Sequence, residues 1–207
     1  MTADSHLADV VVVIHGLGAN RLLMRPLARR LRREFPRVLN WGYSSLWSPL
    51  ERHVEPLTQL LSKLDADKEV GRIHLVTHSM GGIITRLALR QQLPTKIGRL
   101  VMLAPPNRGS HVARRLAPLL GWICPPLVQL SDAGDSFVCS LLPLEKERVE
   151  IGVIAAQTDL LVALDSTPLT AQTPHIILPG FHSSLVWRTE TARRAAHFLR
   201  SGRFDGG

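Results

Sequence analysis

The sequence predicts an α/β fold, in which a mostly parallel sheet of about six strands carries helices on both faces as a three-layer sandwich. Two observations support this. Short runs of β-branched and apolar residues, such as Val10 to Ile14, recur along the chain and are typical of strands buried on both faces of a parallel sheet. Stretches with apolar residues at helical spacing separate these runs, and this alternation connects parallel strands through right-handed crossovers.

Length and composition fit one globular domain spanning residues 1–207, of which 45% are apolar. No purely apolar run is longer than the five residues from Val10 to Ile14, and a run of this length is too short to cross a membrane. The first nine residues have neither a basic start nor an apolar leader, so we expect no signal peptide and a cytoplasmic location. Cys124 and Cys139 are too few for a disulfide framework and fit a reducing compartment, although one bridge stays open.

The first strand runs into His15-Gly16-Leu17-Gly18. A backbone N–H just after a strand that ends in His-Gly can form half of an oxyanion hole, and here the donor would be the N–H of Leu17. A plain glycine turn between strand and helix is the alternative. His15 is expected to brace this loop.

A helix is expected from Asn20, as its cap, to about Phe35. Its basic stripe, from Arg21 to Arg32, consists of Arg21, Arg25, Arg29 and Arg32. The net charge of +8 favours anionic partners, so this stripe is a candidate for peripheral contact with an anionic membrane. A solvated helix face is the alternative, and no nucleic acid is expected.

The chain has no zinc-ligand spacing, phosphate-binding Gly-Lys loop or dinucleotide fingerprint, so no cofactor or metal is expected.

Ser79 lies at the apex of the central motif, which reads as strand, sharp turn and helix. Such a nucleophile elbow lifts a serine hydroxyl clear of the sheet and aims helical N–H groups, here that of Met80, at the same point. The usual glycine two residues before the serine is replaced by Thr77. A Ser-Gly-rich loop without chemistry is the alternative. The elbow and the elements that precede it are a strand over Val38 to Trp41, a helix over Pro49 to Leu64, a strand over Ile73 to Val76, a turn over His78 to Gly82 and a helix over Ile83 to Arg90.

Residues 112–146 interrupt the alternation, because they are too apolar for a loop and too rich in proline for one helix. We interpret them as short helices over the C-terminal edge of the sheet, where they form either a lid with an apolar acyl pocket or plain packing. The remaining elements are strands over Leu100 to Leu103, Glu150 to Ala155 and His175 to Leu178, and a final helix from about Thr189 to Leu199.

Ser79, Asp159 and His182 each follow a predicted strand, in that chain order. Because the C-terminal ends of parallel strands share one edge, these side chains can converge there. A serine hydroxyl needs a base, and the base needs an orienting acid, so His182 would be the base and Asp159 the acid. Asp165, in the same loop, is the second candidate for the acid.

These landmarks resemble the small α/β-hydrolase lipases and esterases of bacteria. The resemblance covers His15 to Gly18, His78 to Gly82, the segment from Leu103 to Ser110, Asp159 and His182. It implies cofactor-free ester hydrolysis of a small-molecule or lipid substrate. Ser79 would be the nucleophile, Asp159 the acid and His182 the base, with the amides of Leu17 and Met80 as oxyanion donors.

Two other functions stay open on the same residues. An acyltransferase would pass the acyl group to an alcohol or thiol instead of water. A non-catalytic binding protein would keep the fold without the chemistry, and Thr77 is the residue that favours it.

Overall fold

A computed structural model of the protein describes residues 7–141 and 149–204. Its centre is a six-stranded sheet in the order β2-β1-β3-β4-β5-β6, and every neighbouring pair is parallel. The predicted fold class is therefore confirmed, with the whole sheet parallel rather than most of it. The strands are β1 (Ala8–Ile14), β2 (Arg37–Trp41), β3 (Val70–His78), β4 (Ile97–Leu103), β5 (Glu150–Ala156) and β6 (His175–Leu178).

Helices cover both faces of the sheet and complete a three-layer sandwich. α1 and α7 contribute to the core on one face, and α2 and α3 contribute to the core on the other. The helices are α1 (Arg25–Leu31), α2 (Val54–Ala66), α3 (Met80–Gln91), α4 (His111–Leu120), α5 (Pro125–Gln129), α6 (Phe137–Ser140) and α7 (Thr189–Ser201).

Strand β1 shows why the sheet is buried on both sides. Val10, Val12 and Ile14 enter the core under α2 and α3, whereas Val11 and Val13 enter the core under α1 and α7. All five side chains are fully buried. A continuous β-branched run therefore serves both faces, as expected for a central parallel strand.

The order of the strands reverses direction between β1 and β3. The chain moves from β1 outward to β2, returns to β3 on the other side of β1, and then continues to β6. Ligands of open α/β sheets bind at the C-terminal ends of strands where the order reverses in this way. Ile14 pairs with Thr77 at this point, so the segments after Ile14 and Thr77 lie side by side.

The prediction of one long helix from Asn20 to about Phe35 is wrong at both ends. α1 begins at Arg25, with Met24 as N-cap, and ends at Leu31. Asn20 instead accepts a hydrogen bond from the amide of Leu22 through its own side chain, which closes a turn (2.8 Å). Pro26 explains the late start, because proline fits only the first turn of a helix.

The irregular segment forms α4, α5 and α6, as the proline content suggested. Residues 142–146, the end of the predicted lid, lie outside the described residues. The expected helix over Pro49 to Leu64 begins as a 3₁₀ turn over Leu50–His53 before α2. Cys124 and Cys139 are free thiols. Among the described residues, no helix is both long and apolar enough to span a membrane.

Candidate active site

Ser79 occupies the one-residue turn between β3 and α3. Its backbone has φ 53° and ψ −126°, a positive-φ conformation that is uncommon for a residue with a side chain and marks a functional position in many proteins. Two hydrogen bonds hold the turn: the Ser79 amide donates to Leu103 O, and the Gly82 amide donates to Ser79 O (2.8 and 2.9 Å). The elbow is tighter than predicted, because Met80 to Gly82 already belong to the helix.

Glycines let three segments meet at this turn. A Cβ at Gly81 would lie 2.5 Å from His15 O, and a Cβ at Gly16 would lie 2.8 Å from the Cβ of Ser79. Contacts this short are not tolerated by real side chains. The loop after β1 therefore lies directly against the nucleophile turn, and the glycines permit that approach.

Thr77 takes the position where the usual motif has glycine, and Gly82 makes room for it. Thr77 is fully buried, and a Cβ added to Gly82 would lie 3.2 Å from Thr77 Oγ1. In the usual motif, a glycine in the strand leaves room for the close approach of strand and helix. Here the strand carries Thr77, and the missing side chain of Gly82 in the helix leaves that room instead. Within the described chain, Thr77 Oγ1 has no hydrogen-bond partner.

Thr77→Val should raise the free energy of unfolding by about 1 kcal/mol, because it removes a buried hydroxyl that has no partner and conserves the shape of the side chain. Thr85→Val is the matched control. Thr85 is equally buried, but its Oγ1 donates to Gly81 O (2.8 Å), so its loss should destabilise the protein. Urea unfolding of both variants tests this, and a destabilised Thr77→Val would contradict the account of the elbow.

His182 and Asp159 form a buried hydrogen-bonded pair. His182 Nδ1 donates to Asp159 Oδ2 at 2.6 Å, and both side chains are less than a tenth exposed. The other oxygen, Asp159 Oδ1, accepts the amides of Leu161 and Val162, each at 2.9 Å. Burial alone would raise the pKa of Asp159, but the bond and charge of His182 and the two amides outweigh it and lower the pKa. The carboxylate therefore stays ionised.

Asp165 does not share this environment. It lies exposed in a 3₁₀ turn over Leu164–Ser166, where its backbone carbonyl accepts a hydrogen bond from Arg108 (3.4 Å). Of the two acids that the sequence left open, the structure brings Asp159 to His182.

His78 holds the backbone of His182. Its Nε2 donates to His182 O at 3.2 Å, and the two imidazole rings lie 4.8 Å apart. Burial, followed by the charge of His182, lowers the pKa of His78 to about 3. His78 is thus neutral at ordinary pH. The sequence indicated a packing or hydrogen-bonding role for His78. It did not indicate which residue would be the partner, because His182 is distant in the chain.

Ser79 and His182 line one cavity of about 250 Å³. The remaining wall is mostly apolar and comes from the loop after β1, from α4 and α5, and from the two residues that follow Leu160. The principal lining residues are Leu17, Leu23, Val112, Leu116, Leu127, Leu130, Leu161 and Val162. Residues distant in sequence therefore meet at the C-terminal edge of the sheet, and α4 and α5 roof the space between them.

Two polar residues of this region, Ser110 and Arg86, make hydrogen bonds that were not predicted. Ser110 caps α4 by accepting the Ala113 amide (3.2 Å), and it also donates to Leu161 O beside the acid loop. A serine before a helix is the sequence signal for such a cap. Arg86 of α3 is buried and donates to Asn107 Oδ1 (3.1 Å) and Leu141 O (2.8 Å). No sequence signal identified it.

Leu17 and Met80, whose amides are the expected oxyanion donors, belong to the two chain segments that meet at Ser79. Met80 begins α3, so its N–H has no acceptor within the helix. Leu17 lines the cavity and follows Gly16, which abuts Ser79. Tyr43 braces this loop: its amide donates to His15 Nε2, its hydroxyl donates to His15 O (2.8 Å), and the two rings stack 4.2 Å apart.

Against the esters that the sequence leads us to expect as substrates, Gly16→Ala should lower kcat/KM on the order of 10²-fold. The new methyl group must displace Ser79 or the loop, and small displacements of reacting groups are costly. Gly18→Ala is the control. Gly18 has φ +66° and open space around its Cβ position, so alanine there adds backbone strain without a clash. If both variants lose activity equally, the contact at Gly16 is not what positions the serine.

Comparison with known proteins identifies the family. The model of the alpha/beta hydrolase family matches residues 11–204. The chain belongs to the alpha/beta hydrolase family. A comparison with curated protein sequences finds no match.

Solved structures share this alpha/beta hydrolase fold at low sequence identity. Phospholipase PlaB from Legionella pneumophila, in complex with thio-NAD, superposes with a TM-score of 0.70 and 16% identity, over 93% of this chain and 62% of PlaB. Lipase B from Aspergillus fumigatus gives 0.70 and 12%, over 93% and 52%. An extracellular alpha/beta-hydrolase from a Paenibacillus species gives 0.61 and 18%, over 94% and 99%. The chain therefore spans less than two thirds of PlaB and about half of lipase B.

Proposed function

We propose that this alpha/beta hydrolase cleaves carboxylic esters, with Ser79 as nucleophile, His182 as general base and Asp159 as orienting acid. One observation carries the proposal. His182, which is hydrogen-bonded to Asp159 at 2.6 Å, lines the same cavity as Ser79. A base held by an ionised acid, in one cavity with a serine on a strained turn, is the set of groups that nucleophilic catalysis requires.

Acylation follows from these positions. The Ser79 hydroxyl attacks the ester carbonyl carbon while His182 Nε2 takes the hydroxyl proton. Asp159 stabilises the imidazolium that results, because it already accepts the bond from Nδ1. His182 then passes the proton to the leaving alcohol, and the acyl group stays on Ser79. In deacylation a water molecule attacks the acyl carbon while His182 takes its proton. The bond between the acyl carbon and Ser79 Oγ then breaks, His182 returns the proton to Ser79, and the free acid leaves.

The negative charge on the carbonyl oxygen requires stabilisation. We propose the amides of Leu17 and Met80 for this role, the second one at the positive end of α3. By analogy with deletions of single donors in other enzymes, each is worth about 3 kcal/mol of transition-state stabilisation. His78 contributes by holding the backbone of the base.

The cavity supports an acyl ester, including a lipid, as the substrate class. Leu116, Leu127 and Leu130 of the α4–α5 region provide an apolar wall for an acyl chain opposite the catalytic groups. Two structural neighbours, PlaB and lipase B, are a phospholipase and a lipase by name. We propose that residues 112–141 act as the lid over this wall.

We also propose a cytoplasmic location, which the free thiols of Cys124 and Cys139 support.

A panel of p-nitrophenyl esters from acetate to palmitate tests the function. We expect turnover that saturates with substrate and passes through a maximum at a short or medium chain, because the cavity is of limited volume. Leu127→Trp, which would fill the wall, should move that maximum to shorter chains. A folded protein without turnover on any ester would contradict the proposal.

Analysis of the products separates hydrolysis from acyl transfer. With methanol or a thiol added as competing acceptor, an ester hydrolase releases mainly the free acid. A product that is mainly the new ester or thioester would favour an acyltransferase that uses the same three residues.

A further inference from the structure

A second cavity, of about 1150 Å³, lies beside the first helix and the edge strand and is separate from the cavity of Ser79. Its walls come from α1 and the residues flanking it, from β2 and from the first residue of α7. We call it the arginine groove, since its lining residues are Arg21, Arg25, Arg29, Arg30, Arg32 and Arg33, together with Pro26, Val38, Leu39, Asn40 and Thr189.

Within the described parts of the chain, no arginine of the groove forms an ion pair with a carboxylate. No carboxylate is among its lining residues. In residues 7–141 and 149–204, the ion pairs engage other arginines, and the nearby Glu34 pairs with Arg200 at 2.7 Å. Arg32 is fixed by its bond to Val38 O (3.3 Å). Several guanidinium groups around one concavity repel one another, so an anion with several negative groups would be bound favourably.

The arginine groove and the Ser79 cavity share a segment of chain. Arg21 and Arg25 line the groove, whereas Leu23, between them, lines the cavity of Ser79. Asn40 Nδ2 fastens this segment to β2 by donating to Arg21 O at 2.7 Å. A ligand held by Arg21 and Arg25 would therefore lie next to the candidate active site.

Large apolar side chains are exposed around the same region. Leu22, which follows Arg21, is 52% exposed, and Trp187, two residues before Thr189 of the groove, is 60% exposed. Phe181, beside His182, is also 60% exposed. Exposed apolar side chains would not contribute to the binding of a soluble anion. At a bilayer, however, leucine and aromatic side chains enter the boundary between headgroups and acyl chains, while arginine contacts the phosphates.

We propose that the arginine groove and these apolar residues bind the surface of an anionic phospholipid membrane. The lipid phosphates occupy the groove, and Leu22, Phe181 and Trp187 insert among the headgroups. This contact places the Ser79 cavity at the membrane. The inference goes beyond the proposed ester hydrolysis, because it concerns a separate surface of the protein.

Vesicle co-sedimentation of the full chain tests the proposal. The vesicles contain phosphatidylcholine alone or with 30 mol% phosphatidylglycerol. The groove variant is Arg25→Gln/Arg29→Gln/Arg33→Gln, which leaves the half-buried Arg30 and the bonded Arg32 in place. The control, Arg52→Gln/Arg72→Gln/Arg203→Gln, removes the same charge from exposed arginines outside the groove.

We expect the wild type to bind the anionic vesicles and to bind them less as salt rises. The groove variant should bind them on the order of a hundredfold more weakly, whereas the control should remain close to wild type. Hydrolysis of a short, water-soluble ester should be unchanged in both variants. Binding is read without turnover, so the result is independent of whether the protein is an esterase.

Three results would overturn the proposal. Equal weakening in both variants would mean that net charge alone drives binding. Equal binding to neutral and anionic vesicles would remove the role of the arginines. Binding of soluble tripolyphosphate in the groove by calorimetry, without vesicle binding, would instead assign the groove to a soluble phosphate compound.

Discussion

Ser79→Ala should lower kcat/KM for p-nitrophenyl esters by on the order of 10⁴- to 10⁶-fold, because it removes the group that forms the acyl intermediate and leaves only substrate binding and oxyanion stabilisation. The fold should survive. Ser79 is half-buried, and its two elbow hydrogen bonds are made by backbone atoms, which alanine retains. Circular dichroism and thermal unfolding would establish that the variant is folded before its rate is measured.

Ser183→Ala is the matched control, because Ser183 lines the same cavity and is exposed. Its activity should stay within a few fold of wild type. Should the loss follow Ser183 instead, or should Ser79→Ala keep full activity, another group must be the nucleophile.

Asp159→Asn should lower kcat by about 10⁴-fold with little change in KM. The amide can keep the hydrogen bonds from Leu161 and Val162 through its oxygen, so the loop should hold its shape. It carries no negative charge, however, and its NH₂ group favours the wrong tautomer of His182. In that tautomer the lone pair is on Nδ1 and Nε2 carries the proton, so Nε2 could not accept the proton of the serine.

Asp165→Asn tests whether this effect belongs to one acid. Asp165 is exposed, and the structure shows its backbone, not its side chain, in a hydrogen bond. Steady-state kinetics of the two variants should therefore differ by several orders of magnitude. Equal activity of Asp159→Asn and wild type would contradict the assigned acid.

The strands were predictable because a parallel strand buried on both faces has to be apolar throughout. Val10 to Ile14 shows this pattern as five successive apolar residues, and all five are buried in the structure. Their order along the chain then placed the segments after each strand at one edge. That is why Ser79, Asp159 and His182 could be grouped from sequence. The sequence kept Asp165 as a second candidate for the acid, and the structure places Asp159 in the hydrogen bond with His182.

The start of the first helix was not predictable from leucine spacing alone. Leu23 is at helical distance from Leu27, but it lies in the turn before α1 and lines the Ser79 cavity. Helical periodicity indicates which residues are buried, but it does not indicate which part of the protein they pack against. Pro26 was the better indicator, because its missing N–H restricts it to the first turn.

The arginine groove also exceeds what the sequence contains. Helical spacing grouped four arginines on one face, and the structure adds Arg30 and Arg33 to the lining of a groove that residues of α1 and β2 share. The contact of His78 with the backbone of His182 spans 104 residues and likewise has no local pattern. Packing between distant segments determines both features.

Labelling with a fluorophosphonate tests the central claim most directly, because the probe phosphonylates only an activated serine and loses fluoride in the process. We expect one adduct per protein, located on Ser79 by peptide mass spectrometry, absent from Ser79→Ala and formed far more slowly in His182→Ala. A folded wild-type protein that stays unlabelled, or that carries the adduct on another residue, would contradict the account.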